Sequence, residues 1–571
     1  MSDEEVWDHS VDVLVVGSGN GAMTAALCCY EMGTQDVLVI EKADKFGGTS
    51  SISGGGVWVP CNRYAKAAGA DDSLATAREY LRQTIPSDQV PEEMLDTYVE
   101  QAPKMIDFLH ERTRVRYLSL YQYPDYYTNL ESSRSGHRSM EPEPINVNEL
   151  GDEWDKLVNT HQMMYLFNII GITQDEAHIL VGRLQGWLGL TLKLLFKYFF
   201  DLPWRLKSRR ARRCATGCAG VARLRVSMQD RDMPLWLNTA MTNLITENGK
   251  VTGVEVERDG NKQRIQARKG VILSAGGFEH NQSMREQYLP QPTNHLWSAG
   301  CHTNTGDAIR AGLELGAATR MMSSAWWCTT ISVPGEEIPR LSIQEKSFPG
   351  SVLVSPDGKR IANESQNYMA YQLEFFEVHS EERACIPSYL IFDAKFRASY
   401  IVGPLLTSSL KPDWTIPQSY YDEGFLAKAD TLDELARKIN VDPKTLQQTV
   451  SDLNSYAGTG KDLEFQRGDA VYDRYYGDPS VKPNPCLAPI AKPPFYALKQ
   501  DPGDFGTNGG LVTNVDAQVL KENGEAIQGL YAVGNCAAPV LPTYPGPGST
   551  LGTAMTFAWQ AAKKITGYNA A

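Results

Sequence analysis

The sequence predicts an α/β protein: a Rossmann-like nucleotide-binding fold interrupted by an α+β substrate domain and by a helical segment. Three observations predict it. Strand-like apolar runs alternate with helical segments over most of the 571 residues. The chain opens with strand, glycine turn, helix and second strand, the order of a βαβ unit. Glycine elements at 17 and 47 recur at 276 and return at 534, so one nucleotide fold is assembled from separated stretches of chain.

Length and composition narrow the class. A chain this long exceeds one ordinary core and implies two or three domains. A hydrophobic content of 42% with 22% charged residues is that of a folded globular protein. The formal charge of −13 excludes general nucleic-acid binding, which needs a basic surface to replace phosphate counterions. Ten cysteines without a CxxC pair, two of them adjacent at Cys28–Cys29, fit a reducing compartment better than a disulfide framework. The acidic opening MSDEEVWDHS lacks the basic start and apolar run of a secretory signal, so an intracellular, cytoplasmic protein is expected. The nine histidines have no metal-ligand spacing, and no metal is expected.

The first element is the apolar strand Val11–Val16. It runs into Gly17, Gly19 and Ala22 in GxGxxA spacing, with Ser18, Asn20 and Gly21 between them, and then into a small-residue helix. Those glycines permit a tight turn and close backbone approach, and the helix N-terminus offers its amides to a diphosphate. The second strand ends at Glu41, which can accept both hydroxyls of an adenosine ribose. KFGGTSSISGGGVWVP (45–60) follows, a run of small residues and hydroxyls.

That run resembles the diphosphate and isoalloxazine loop of the fumarate reductase-like flavoproteins. GVILSAGGFEHN (270–281), CHTNTGDAIRAG (301–312), GKRIANES (358–365) and GLYAVGN (529–535) resemble further elements of that family, in order. The resemblance implies FAD, held by Gly17, Ser18, Gly19, Asn20, Gly21, Ala22, Glu41, Lys42, Gly47, Gly48, Thr49, Ser50, Ser53, Gly54, Gly55 and Gly56. It extends the set to Ala240, Ala275, Gly276, Gly277, Gly534, Asn535, Ser549, Thr550 and Leu551. No His lies between Glu41 and Cys61, where related dehydrogenases carry a covalent flavin link, so the FAD is expected to be non-covalent. The implied division is FAD-binding domain at 1–149, 216–285 and 494–571, substrate domain at 286–493, and helical insertion at 150–215.

The substrate is read from YPGPGSTLG (544–552). No His, Asp, Glu, Lys, Arg or Cys lies between Ala537 and Leu551. A substrate carboxylate buried there without a partner would cost several kcal/mol, which disfavours dicarboxylate reduction. The loop offers one phenol, Tyr544, and backbone amides at Gly546 and Gly548, donors suited to a ketone oxygen that becomes an enolate. Here the sequence resembles the 3-ketosteroid Δ1-dehydrogenases. The resemblance places Tyr544 and the N–H of Gly548 on the steroid C3 oxygen. It makes Tyr368, after the run NES, the base, with Tyr126 of YPDYY in support and Tyr127 as the alternative. AWWCTT (325–330) is read either as a wall of a flat apolar pocket or as ordinary core. An external electron acceptor must reoxidise the flavin. Competing readings are a 3-ketosteroid Δ4-(5α)-dehydrogenase, a fumarate-type reductase and a non-catalytic electron-relay flavoprotein.

The insertion stands apart. MMYLFNIIGI (163–172) and the apolar run around 184–200 precede a basic cluster of Arg205, Lys207, Arg209, Arg210, Arg212 and Arg213. The run is too short and too charged to span a bilayer, which takes ~20 apolar residues. It is expected to lie in a membrane interface over about 160–213, docking the enzyme on the inner face of the cell membrane and favouring tail-bearing substrates of the cholestenone type. The competing reading is an internal helical hairpin or an oligomer contact.

Overall fold

The computed structural model describes residues 7–182 and 184–569; most of the acidic opening, residues 1–6, lies outside it. Its larger sheet runs in the order 235–236, 37–40, 9–16, 261–273, 250–258, 239–247, with 526–532 also paired to 261–273 and 518–520 to 526–532. The strands that carry the site are parallel. Val16 is level with Ile40 and Leu273, and Leu273 with Ala532. Four carboxyl ends from three distant parts of the chain therefore meet at one edge, the place where a doubly wound sheet binds its ligand. The expected glycine returns at 276 and 534 fall just beyond that edge.

The helices Asn20–Glu31, Glu92–Arg112, Thr216–Gln229 and Ser549–Thr566 share one buried core with the sheet. Asn20–Glu31 starts at Gly19 with no cap from that residue; the Asn20 N–H donates to Ser50 Oγ at 3.1 Å, which leaves the next amides, of Gly21 and Ala22, for a ligand. Small residues allow the close stacking this needs. A Cβ on Gly17, whose φ is +108°, would stand 2.2 Å from the carbonyl oxygen of Ser274.

The second sheet is antiparallel, in the order 340–341, 325–331, 495–507, 388–393, 351–354, with 426–429 also on 495–507. Its central strand Phe495–Thr507 begins after the expected boundary at 493, so the substrate domain reaches further along the chain. The insertion is closed at its neck by pairing of Ile145–Asn146 with Arg213–Cys214. Cys214 and Cys218 lie with their sulfurs in contact across the turn that begins helix 216–229, one close pair in a chain whose other eight cysteines are free, so no disulfide framework is built. Strand end and first helical turn bring them together, a closeness that spacing alone does not announce.

Candidate active site

One cavity of about 1130 Å³ runs along the carboxyl edge of the large sheet and continues between the two domains. That is larger than the ~300–1,000 Å³ of an ordinary ligand pocket, leaving room for a dinucleotide and a second molecule. Its inner end is lined by Gly17, Ser18, Gly19, Gly21, Glu41, Lys42, Gly47, Gly48, Thr49, Ser50, Ser53, Gly54, Gly55, Gly56, Ala275, Gly276, Gly534, Asn535, Thr550 and Leu551. Asn20, Ala22, Ala240, Gly277 and Ser549 do not line it. Asn20 and Ala22 are turned into the core, and Ser549 Oγ donates to the carbonyl of Gly546 at 2.7 Å. Gly277 packs on Thr507 and Glu279, while Ala240 sits in its strand between Thr239 and Met241, which do reach the cavity.

These residues fit FAD. A helix start that presents the Gly21 and Ala22 amides faces a glycine cradle, and a carboxylate stands at the second strand's end. Ser18 Oγ donates to Glu41 Oε2 at 2.5 Å and the Ala43 N–H to Oε1 at 3.0 Å, while burial raises the Glu41 carboxyl above its ordinary range. Lys42 lines the cavity, but its ammonium is held by Asp307 at 2.5 Å and Thr305 at 2.8 Å. Thr303, Asn304 and Asp307 join this wall; they lie inside the TGD stretch, the one signal that could have named them.

Next along the cavity stand three phenols, Tyr126, Tyr368 and Tyr544, each at most 5% exposed. Tyr126 Oη donates to Tyr368 Oη at 2.9 Å. The ring centres of Tyr126 and Tyr368 lie 5.6 and 5.7 Å from that of Tyr544. Tyr127 points elsewhere, its hydroxyl donating to the carbonyl of Thr543 at 2.7 Å. Of the two tryptophans, Trp326 lines the cavity and donates to Asn535 at 3.0 Å, whereas Trp327 packs on Phe376 in the core. Tyr123 and Phe505 complete the aromatic wall; Phe505 carried no signal in the sequence.

The NES run places Tyr368. Glu364 is clamped by buried Arg360 and Arg467, and Lys346 Nζ donates to the carbonyls of Glu364 and Gln366 at 2.6 and 2.9 Å. Asn367 then caps helix Tyr368–Val378, accepting from Ala370 N–H at 2.9 Å. Tyr368 thus opens a helix, where the aligned peptide dipoles favour negative charge.

The loop 543–548 is held by its carbonyls. Tyr127 donates to that of Thr543, Tyr80 (2.6 Å) and the Tyr126 N–H (2.9 Å) to that of Pro545, and Ser139 Oγ (2.8 Å) to that of Pro547. Trp58 and Gly552 N–H groups take the Gly548 carbonyl. The clamps keep Tyr544 at φ +57°, a conformation that a bulky residue rarely adopts. Carbonyls of the loop are engaged, and the donors it presents are the Tyr544 hydroxyl and the Gly548 N–H that faces it. The Gly546 N–H, expected to be a second free amide, is taken by Ser549 Oγ at 3.2 Å.

Burial pushes the hydroxyls of Tyr126 and Tyr368 well above the ordinary phenol range and that of Tyr544 above it, with neighbouring phenols adding to the first two. The donor from Tyr126 opposes this at Tyr368.

The outer cavity is walled by the insertion, which sequence reasoning read as a membrane element or else as an internal hairpin or oligomer contact, not as a cavity wall. His161 to Asn168, Gln174, His178, Val181, Trp187 and Thr191 line it, opposite the stretch around 399–411. Gln174 Nε2 reaches the Gly54 carbonyl at 2.9 Å, tying this wall to the cofactor loop. On helix Trp187–Phe199 the outward side chains Leu188, Leu192, Phe196 and Phe199 are each more than half exposed, and Phe200, Leu202 and Leu206 extend the patch. Much of the basic cluster is engaged. Arg212 pairs with Asp201, Arg213 with Glu176, and the Arg205 and Arg210 guanidinium groups lie on Tyr198 and Tyr165. Lys207 and Arg209 remain exposed, with Lys193 and Lys197 beside the apolar stripe. Among the described residues no helix is long and apolar enough to cross a membrane, and no cluster of metal-ligating side chains occurs.

The FAD binding domain family model matches residues 12–551. A 3-oxosteroid 1-dehydrogenase of Mycobacterium tuberculosis is 40% identical over 565 residues, 97% of this chain and 98% of that protein. One from Comamonas testosteroni is 37% identical, covering 98% and 97%. The crystal structure of 3-ketosteroid Δ1-dehydrogenase from Sterolibacterium denitrificans, in complex with 1,4-androstadiene-3,17-dione, superposes with a TM-score of 0.95. It is 44% identical and covers 98% of this chain and all of that one.

Proposed function

From the premise that this chain belongs to the FAD-binding flavoproteins and, within them, to the 3-oxosteroid 1-dehydrogenases, we propose that its tyrosine cluster carries out the 1,2-desaturation of 3-ketosteroids. The observation that carries this reading is the 2.9 Å contact of Tyr126 with Tyr368, beside Tyr544 and next to the cofactor cradle. The Tyr544 hydroxyl and the Gly548 N–H polarise the C3 oxygen, and preorganised donors of this kind are worth on the order of 3–4 kcal/mol each. Polarisation makes the proton on C2, α to the carbonyl, removable. Tyr368 Oη takes it, with Tyr126 donating to the phenolate. When bound, FAD, held without a covalent link, supplies a hydride acceptor at N5 for the hydrogen on C1. Anaerobic addition of a 3-ketosteroid is expected to bleach the flavin and yield the 1,4-diene-3-one. A spectral shift without bleaching would mean a binding module instead.

We further propose that the apolar stripe 188–206 docks on a lipid surface. The same helix lines the outer cavity through Trp187 and Thr191, so a tail-bearing steroid such as a cholestenone would pass from lipid to site along one element. Residues 160–213 wall the cavity, so point changes test docking better than deletion. Leu192→Glu with Phe196→Glu is expected to abolish co-sedimentation with vesicles while leaving turnover of a short, soluble ketosteroid intact. Equal partitioning of wild type and variant, or a wild type that stays in the supernatant, would end this reading. With few cations free, added salt should weaken docking only modestly.

A further inference from the structure

We propose that the buried side chain of Glu279 takes up a proton when hydride charges the bound cofactor, and so ties the flavin potential to pH through Asn304 and Thr49. The proposal rests on FAD in the cradle described above and holds whichever ketone is the substrate. In GGFEHN (276–281), Gly276 serves the cradle, while the carboxylate of Glu279 has no part in the desaturation. Glu279 is fully buried, and Asn304 beside it lines the cofactor end of the cavity. Asn304 Nδ2 donates to Glu279 Oε1 at 2.6 Å and to Thr49 Oγ1 at 3.1 Å.

The carboxylate occupies a space left by glycines. A Cβ on Gly277 would stand 2.7 Å from its Oε2, and one on Gly300 2.6 Å from its Oε1. A Cβ on Gly506 would lie 3.5 Å from Oε1 and 2.7 Å from Nδ2 of Asn535, a residue of the cradle. Gly506 follows Phe505 of the aromatic wall, so the carboxylate stands where the cradle meets the tyrosines. On the cradle side, a Cβ on Gly276 would stand 2.6 Å from Asn304 Oδ1, so the amide lies against the cofactor wall. Thr49 Oγ1 accepts from Asn304 and from the Cys301 N–H at 2.9 Å, which leaves its own proton for a ligand.

Among the described residues no ion pair reaches the Glu279 carboxylate. Arg285, on helix Gln282–Tyr288, donates from Nη1 to Asp504 Oδ2 at 2.8 Å and to the main-chain carbonyl of Glu279 at 3.2 Å. Besides Asn304, only the Thr507 N–H reaches the carboxylate, at 3.3 Å to Oε2. Asp504 and Cys301 are the titratable groups facing it. His280, next in the chain, is held down to about 4 by burial and is neutral at physiological pH. Burial pushes the Glu279 carboxyl up to about 7, with the Asn304 donor opposing and the Asp504 charge adding. A hydride brings one proton and two electrons, so the site gains one negative charge. Glu279 offsets it: the carboxylate binds one proton from water and becomes a carboxyl. It releases that proton when the external acceptor withdraws the electrons. A nearby like charge raises a carboxylate's proton affinity, which sets the sign.

The test titrates the holoenzyme with dithionite against reference dyes, without steroid, and reads the potential directly. Each proton bound per two electrons lowers the potential by ~30 mV per pH unit. Across roughly pH 6 to 8 the wild-type potential is expected to fall more steeply than that of Glu279→Gln, by up to this amount, because the amide keeps the shape and does not titrate. Glu345→Gln removes a different buried carboxyl, one on the outer cavity that accepts the Gly403 N–H at 3.3 Å, and should keep the wild-type slope. Reduced-minus-oxidised infrared spectra of wild type should gain a protonated-carboxyl band that Glu279→Gln lacks. Equal slopes in wild type and Glu279→Gln would overturn the proposal, as would an equal loss of slope in Glu345→Gln. A wild-type spectrum without the band would do so as well, even where Glu279→Gln fails to hold FAD. With no steroid present these results are independent of the desaturase reading, which fails when wild type yields no diene.

Discussion

Tyr368→Phe is expected to lower kcat for 1,2-desaturation by ~10³–10⁴-fold, near the upper end of what a positioned base contributes, with FAD still bound. The hydroxyl is the only group lost. Asn367 still caps the helix, and the Arg360–Glu364–Arg467 clamp that sets the start of the helix does not touch the ring. The steroid should therefore still bind, and the loss should fall on kcat. The sign of the pH dependence follows from burial. Tyr368 is pushed well above the ordinary phenol range, so the reactive phenolate is scarce at neutral pH and grows about tenfold per pH unit below its pKa. Wild-type kcat should rise with pH, and the residual rate of the variant should not. Single-turnover bleaching of the flavin, followed from pH 6 to 10, measures both. A variant within tenfold of wild type, or one with an unchanged pH slope, would remove Tyr368 from the role of base.

What could be read from the sequence is what local chemistry fixes. Gly17, Gly19 and Glu41 must stand at strand ends for a dinucleotide to be held, and the parallel register delivers them there. Tyr544 stands out because the loop offers no other side-chain chemistry. Gly546 and Gly548 are equal candidates there, and only the resemblance favours Gly548; the Ser549 hydroxyl takes the Gly546 N–H. Choosing Tyr126 over Tyr127 was not possible from adjacent identical residues. The choice is made by a long-range contact, the Tyr126 N–H to the Pro545 carbonyl, which sends the two side chains different ways. Ion pairing hid the state of Arg212 and Arg213, whose partners Asp201 and Glu176 are set by how the insertion folds back. The insertion's second duty as cavity wall depends on tertiary placement, as does the substrate-domain strand past 493. Neither leaves a periodic mark in the chain.

Gly548→Ala should abolish desaturation and weaken FAD binding together, a pairing that distinguishes it from Tyr544→Phe. At φ +96° Gly548 sits where an L side chain is strained. A Cβ there would stand 2.3 Å from both the carbonyl carbon and oxygen of Gly56, backbone atoms that cannot yield without moving the 54–56 loop. Gly56 lines the cofactor cradle, and Gln174 ties Gly54 of the same loop to the outer wall. The Gly548 carbonyl also accepts from Trp58, so displacement would shift the donor and the cofactor loop as one body. Tyr544→Phe removes only a hydroxyl, so it should lose ~10²–10³-fold in kcat, the usual cost of one oxyanion donor, and keep its flavin. Flavin absorbance after gel filtration, measured beside kcat for both variants, reads the difference. A Gly548→Ala protein that retains full flavin content and wild-type turnover would mean that the loop tolerates a side chain and that its N–H is not positioned for the ketone.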